Sequence, residues 1–325
     1  MEEIRWGIIG CGDVTEVKSG PAFNKLPNSK LVAVMRRDAE KAADYAKRHN
    51  VPKWYDNATA LINDPEINAI YIATPPLQHE AYTLEALAAG KPVYVEKPMT
   101  LNAASAQRMI DAALKHDVKL VVAHYRRAQP MFLEVKRLLT GNSIGDVRFV
   151  GLKMLQPINP KLVAQTAQNW RMDPAISGGG LFHDLAPHQL DLMSYYFGAV
   201  QNAMGIATRQ QKNTHVDDLV VGQILFKNGV VFNGTWCFSV SSSDQADICE
   251  IYGSKGKISF PMFGHKIELK HETKTQTINF EPLDHVQQPM IEQVVKYFLG
   301  QAENPCSGEE ALITMEVMDA FTGNF

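Results

Sequence analysis

The sequence predicts an α/β protein in two parts: a doubly wound parallel sheet, then an α+β domain built on a mostly antiparallel open sheet. Three observations carry that reading. Short, nearly continuous apolar runs alternate with helix-length segments as far as about residue 122. After that point the period changes and strand-like runs are joined by tight turns, their alternation too irregular to assign a face. The length, 325 residues, is enough for two domains with sizeable cores.

In order, the first part is expected to form strands at Ile4–Ile9, Leu31–Met35, Ala69–Ala73, Pro92–Val95 and Lys119–Ala123. After a helical stretch near Met131–Leu139, strands are expected over Gly145–Leu155, Val220–Phe226, Val230–Phe238, Asp247–Tyr252, Lys257–Phe260, Lys266–His271 and Thr275–Phe280. Lys227-Asn228-Gly229 and Ser254-Lys255-Gly256 have the composition of hairpin turns. Helices over Gln288–Leu299 and Ser307–Phe321 close the chain. The composition shift places a boundary near residue 123, giving domains 1–123 and 124–325.

The charge balance of 32 basic and 35 acidic residues, net -3, offers no field for nucleic acid or an anionic membrane and points to a small polar substrate. Cys11, Cys237, Cys249 and Cys306 lie far apart without metal-ligand spacing, so neither a disulfide framework nor a bound metal is expected, and a reducing compartment fits. Met1 to Arg5 lacks a basic region leading into a long apolar stretch, and no run approaches about 18 apolar residues. A cytoplasmic protein is expected.

The first strand runs into Gly10-Cys11-Gly12-Asp13-Val14-Thr15 and then a helix. Glycines there allow a tight turn and close approach of a pyrophosphate to backbone N–H groups. Thr15 replaces the third glycine of the usual pattern, and a purely structural turn is as compatible with the motif alone. At the end of the second strand an acid would take the ribose 2′-hydroxyl of NAD, whereas arginine takes the 2′-phosphate of NADP. The chain offers Arg36 and Arg37, favouring NADP, with Asp38 keeping NAD possible and a solvated arginine pair as the plain alternative. Thr74, Pro75 and His79 follow the next strand, either beside the cofactor or in a rigid surface turn. Glu96-Lys97-Pro98 closes a further strand, where a nucleotide-binding sheet presents its ligand.

Far downstream, Ser177-Gly178-Gly179-Gly180 leads into a helix expected to begin near Asp184, since Pro187 suits a first turn. Asp184, His188 and Asp191 stand at i, i+4 and i+7, a polar stripe on an otherwise apolar helix; an Asp–His pair serving only the helix is the alternative. Tyr125, Arg126 and Arg127, and Trp170 with Arg171, are candidate substrate-pocket residues or simply packing groups.

Together, the glycine turn, Ala73-Thr74-Pro75, Glu96-Lys97-Pro98, Trp170-Arg171, the glycine triplet with Asp184 and His188, and Ser307-Gly308-Glu309-Glu310-Ala311 resemble the glucose-fructose oxidoreductase/inositol dehydrogenase (Gfo/Idh/MocA) family over nearly the whole chain. The resemblance implies a Rossmann domain followed by an α+β domain whose open sheet serves oligomer contacts, giving a homodimer or homotetramer. It implies NAD(P)-dependent chemistry on a sugar, cyclic polyol or related carbonyl. Lys97 would bond the reacting oxygen, His188 would be the general acid/base, and Asp184 would orient substrate. The chemistry fits these residue types: an oxidised alcohol releases a proton that a histidine, with an ordinary pKa of about 6.5, can take, while a lysine ammonium stabilises a developing alkoxide. Family members using NAD commonly have an acid where this chain has Arg36, which again favours NADP. An NAD-linked inositol-type dehydrogenase, a catalytically silent NAD(P)-binding redox sensor, and an enzyme that oxidises transiently while recycling its nicotinamide remain as alternatives.

Overall fold

The computed structural model describes residues 2–163, 169–212 and 214–323. Met1 and Phe325, end points of the expected domains, lie outside them. The chain forms two compact units, one of residues 1–126 with 283–312, the other of 127–282 with 313–325.

The first unit alternates strand and helix: β1 Ile4–Ile9, α1 Asp13–Val17, β2 Ser29–Met35, α2 Ala39–Arg48, β3 Lys53–Tyr55, α3 Ala58–Ile62, β4 Ala69–Ile72, α4 His79–Ala88, β5 Val93–Val95, α5 Ala103–His116 and β6 Leu120–Val122. All neighbours are parallel in the order β3-β2-β1-β4-β5-β6. That is the doubly wound arrangement, with the strand order reversing between β1 and β4. The inner strands have no polar face because helices cover both sides: every residue of β4 and β5 is buried. β3 was not expected from the sequence. Its three residues leave Trp54 exposed and the outer two half-buried, so it carries no apolar run.

The second unit contains α6 Pro130–Thr140, β7 Val147–Leu155, α7 Pro174–Ser177, α8 Gly180–Phe197, β8 Val200–Thr208, β9 Leu219–Phe226, β10 Val231–Cys237, β11 Ala246–Gly253, β12 Gly256–Phe260, β13 Lys266–His271 and β14 Lys274–Asn279. They make an eight-stranded sheet, β14-β13-β12-β11-β7-β10-β9-β8, antiparallel except for the β7–β10 pair. Alternation along the strands buries Val150, Leu152, Met154, Phe232, Trp236 and Ile251 on one face. The opposite face exposes Phe149, Met204, Ile206, Val221 and Ile248, with Phe149 stacked on Tyr252. β8 was also unexpected, for a reason visible in its register. Gly205, Gly222 and Gly234 pair across β8, β9 and β10, and the first two form a trough under Phe321, where a Cβ on Gly205 would come within 2.8 Å of the Phe321 backbone. Glycine and Asn202 weaken the strand signal locally so that an aromatic ring can lie there.

The chain closes with α9 Gln288–Phe298 and α10 Gly308–Thr322. Met290, Ile291, Val294 and Phe298 are buried in the first unit, where Phe298 lies 5.6 Å from Trp6 between ring centroids. Among the described residues, no helix is long and apolar enough to cross a membrane.

One expectation needs correction. The helix carrying Asp184 begins at Gly180, not near Asp184, and Pro187 is inside it. Ser177 sets the earlier start, its hydroxyl accepting from Gly180 N at 3.0 Å. Pro187 then withholds one N–H from the carbonyl four residues back, a local loss that this largely buried helix tolerates.

Candidate active site

In the first unit the glycine turn sits at the carboxyl end of β1. Gly10 has φ +95, and a Cβ there would lie 2.8 Å from Thr74 N, so both conformation and space demand glycine. At Gly12 an added Cβ would meet only the Gly10 carbonyl at 3.9 Å, which leaves the backbone open to close approach. Thr15, where a third glycine is usual, donates its hydroxyl to Gly12 O at 2.8 Å and braces the turn. Asp13 and Val14 open α1, which is only five residues long. The turn's exposed backbone, more than a helix dipole, is what it offers an anion.

Arg36 reaches this turn: its Nη1 donates to Cys11 O at 3.3 Å. Arg37 is exposed. Asp38 is occupied otherwise, capping α2 by accepting from Lys41 N at 3.2 Å and pairing with the Lys41 ammonium at 3.0 Å. The Lys41 hydrogen bonds hold the Asp38 carboxyl below the usual carboxylate range. Burial pushes the Cys11 thiol up to about 11, which leaves it unreactive. On the other side of Gly10, the Thr74 hydroxyl is buried with no hydrogen-bond partner among the described residues, before Pro75. A buried orphan hydroxyl after β4 and an open glycine backbone after the adjacent β1 fit a dinucleotide.

His79 is fully buried, with Nε2 2.8 Å from Thr74 O and Nδ1 3.0 Å from Pro98 O. Burial moves its pKa down, partly opposed by those carbonyls. The ring therefore packs between the Thr74 loop and the segment carrying Lys97, a neutral imidazole donating to one of the two carbonyls. Glu96, 4% exposed, faces inward. Its Oε1 accepts from the Tyr71 hydroxyl and from Gln287 Nε2, both at 2.6 Å, and its Oε2 accepts from Lys97 N at 3.1 Å. Lys97 is half-buried. Tyr125 and Arg126, just past β6, are buried, the guanidinium 5.7 Å from the Tyr125 ring centroid.

In the second unit Gly180 has φ +76, and a Cβ on it would lie 2.7 Å from Val216 Cγ2, so the triplet lets the chain pass close beside that loop. Three contacts, two of them buried and that of Asp184 half-buried, orient α8. Asp184 accepts from Arg171 Nε at 2.7 Å, Gln189 from Trp236 Nε1 at 2.5 Å, and Asp191 from Arg127 Nε at 2.9 Å and Nη2 at 2.8 Å. The Arg171 guanidinium stacks 4.4 Å from the Trp170 ring centroid, so Trp170 is joined to Asp184 through it. His188, 3% exposed, meets the Phe263 ring edge-on at 6.2 Å between centroids. Asp247 holds the loop bearing that ring, accepting from Met262 N at 2.9 Å and Phe263 N at 2.8 Å.

The structure thus gathers Gly10, Gly12, Arg36 and Thr74 around one turn, groups His79, Glu96 and Lys97, and joins Trp170 through Arg171 to Asp184. Sequence reasoning missed Ser177, Tyr71, Phe263 and Gln287. Ser177 carried a usable signal, a serine three residues before a helix start; the others are ordinary strand, loop and helix residues whose roles arise from long-range packing.

Residues 4–124 match a family described as oxidoreductase, NAD-binding Rossmann fold, and residues 132–259 match the GFO/IDH/MocA C-terminal domain. Oxidoreductase P35 of Formosa agariphila is 49% identical over 320 residues, covering 98% of each chain. The trans-1,2-dihydrobenzene-1,2-diol dehydrogenase of Mus musculus is 33% identical over 259 residues, 78% of this chain and 73% of its own. The fold is also that of an aldose-aldose oxidoreductase from Caulobacter crescentus, crystallised with glycerol: TM-score 0.86, 23% identity, 98% of this chain and 96% of that one.

Proposed function

This chain belongs to the GFO/IDH/MocA family of NAD(P)-binding oxidoreductases, and on that premise we propose that it is an NADP-dependent dehydrogenase or reductase of a sugar, cyclic polyol or related carbinol carbon. The observation that carries the cofactor choice is the contrast between Arg36, whose guanidinium lies on the glycine turn, and Asp38, already engaged as a helix cap. A guanidinium suits a 2′-phosphate, while an acid tied to Lys41 is a poor partner for a ribose hydroxyl. Gly10, Gly12, Asp13, Val14, Thr74 and Pro75 would line the pyrophosphate and ribose, with Arg37 adding charge from the exposed side. The similarity to an enzyme named for a cyclic trans-diol supports a cyclic secondary alcohol as substrate.

When bound, the nicotinamide supplies or accepts the hydride. The remaining chemistry falls to the chain. Lys97, on the braced segment after β5, donates to the substrate oxygen and stabilises its negative charge. His188 takes the proton released on oxidation and returns it on reduction. Asp184 orients the substrate hydroxyl, itself fixed by Arg171, and Trp170 offers an aromatic face to a sugar ring. The exposed apolar face of the eight-stranded sheet supports a homodimer or homotetramer, the charge balance supports a small-molecule substrate, and the scattered cysteines support a reducing, cytoplasmic setting.

Parallel fluorescence titrations with NADPH and NADH test the reading. We expect at least tenfold preference for NADPH, about 1.4 kcal/mol, with Arg36→Asp weakening NADPH by about 1.5–3 kcal/mol. Lys97→Ala and His188→Ala should leave that affinity nearly intact while lowering turnover on a sugar and polyol panel at least ~100-fold. Preference for NADH would favour an NAD-linked inositol-type dehydrogenase. Cofactor binding with a wild-type protein inert across the panel would favour a redox sensor, and binding of neither dinucleotide would remove the assignment.

A further inference from the structure

We propose that Gln287, brought back into the first unit by the segment that begins at Leu283, is a positioning residue for Lys97, acting through the Glu96 carboxyl group. The inference rests on the reading of Lys97 as the group that meets the reacting oxygen.

Its basis is the way the backbone on either side of Lys97 is held. On the amino side the Lys97 N–H donates to Glu96 Oε2 at 3.1 Å. A glutamate side chain has three rotatable bonds, and a single contact leaves it free to swing. Here it is locked from the other oxygen: Oε1 accepts from both Tyr71 and Gln287 at 2.6 Å, in an interior where Gln287 is 1% and Tyr71 0% exposed. Hydrogen bonds in such surroundings are directional and strong. With Oε1 so fixed, Oε2 can face only the Lys97 amide. On the carboxyl side, His79 Nδ1 lies 3.0 Å from Pro98 O. The residue that bears the candidate catalytic ammonium is thus braced front and back.

Gln287 is the distant member of this network. Its backbone N–H donates to Lys18 O at 3.2 Å, and beside it the His285 ring contacts Val17 O at 2.6 Å. The segment is therefore docked on α1 and the residue after it, the element that follows the glycine turn. Tyr71 closes the circuit: its hydroxyl lies 3.1 Å from Ser19 Oγ, which in turn donates to Val14 O at 3.3 Å. Through Gln287 and Tyr71 the Glu96 carboxyl is registered against the cofactor turn. A misplacement of about 1 Å at a reacting group can cost ~100-fold in rate, so a group that fixes this register contributes to turnover without touching substrate.

The test combines a mutant cycle with a measurement that needs no substrate. Gln287→Leu removes both donor and acceptor; Gln287→Asn keeps the amide and shortens its reach. Either should lower kcat about tenfold or more with KM little changed, and neither should lower it further in a Lys97→Ala background, because the effect passes through Lys97. A full, multiplicative loss in that background would overturn the proposal. Acetic anhydride labelling read by peptide mass spectrometry gives the second arm, with Lys30 and Lys115 as exposed references in folded protein. The relative labelling rate of Lys97 should change at least threefold in the Gln287 variants, and an unchanged rate would equally overturn the proposal. A wild-type protein that turns over no sugar or polyol would sink the functional reading, whereas the labelling change would still establish the positioning.

Discussion

The two units solve one problem differently. Each holds carboxyl groups away from solvent near a candidate catalytic side chain, but in the first unit the buried Glu96 is satisfied by a phenol, an amide and a backbone N–H, whereas in the second the buried Asp191 and the half-buried Asp184 are met by guanidinium groups. Neutral donors fix the direction of a carboxyl oxygen and so place one backbone amide. An ion pair neutralises a charge and fixes the orientation of a whole helix, here α8 with His188 on it. The difference predicts that damage in the first unit is felt mainly as misplacement, and damage in the second as loss of fold.

The largest effect that would sharpen this contrast is expected at Arg127, 4% exposed at its side chain against Asp191 at 1%. Arg127→Met should cost about 3–5 kcal/mol by urea unfolding, because it strands a buried charge, and adding Asp191→Leu should recover most of the loss. A cost below about 1 kcal/mol would break the comparison.

Next comes pH. Burial lowers the His183 pKa from 6.5 to about 4. Between those values the unfolded chain binds a proton that the folded chain refuses, so stability rises with pH through this window. The contribution is complete above about pH 6.5 and lost as the pH falls toward 4, a span worth about 3 kcal/mol at most. Glu16 and Asp64, each lowered to about 2, act in a more acidic window, chiefly through Arg48 and Lys53. His79 shifts in the same direction as His183, so the reading is the difference between wild type and His183→Leu in unfolding free energy at pH 7 and pH 4.5. Equal slopes would show that His183 is not the source.

The smallest effect belongs to the first unit. Tyr71→Phe removes one of the donors to Glu96 Oε1 and should cost about 1–2 kcal/mol in stability. A loss as large as that at Arg127 would mean that the neutral network also carries the fold.

Much of this was legible in the sequence, and what was not has identifiable causes. Strands buried on both faces, such as β1 and β4, announce themselves as apolar runs. β3 is too short and β8 too rich in small and polar residues to do so, the latter because glycine must admit Phe321. The start of α8 was misjudged because Pro187 is a strong local signal that Ser177 and tertiary burial override. For the site, the residues proposed to carry chemistry stand out by type and spacing, as Lys97 and the Asp184/His188 pair do. Residues that hold them do not: Gln287 lies 191 positions from Glu96, and nothing local to a glutamine at the start of a helix tells of its partner.

The return of residues 283–312 to the first unit also bears on how the protein is made. A ribosome that has released residues 1–126 has released a sheet still short of Met290, Ile291, Val294 and Phe298, all buried there, and of Cys306, whose carbonyl receives the Val122 N–H at 3.0 Å. The nucleotide half therefore cannot complete itself during synthesis; it must wait, partly uncovered, while roughly half the chain is still being translated. A fragment cut after the sixth strand would inherit that unfinished surface, and an excised nucleotide-binding module would have to carry the late segment spliced onto it.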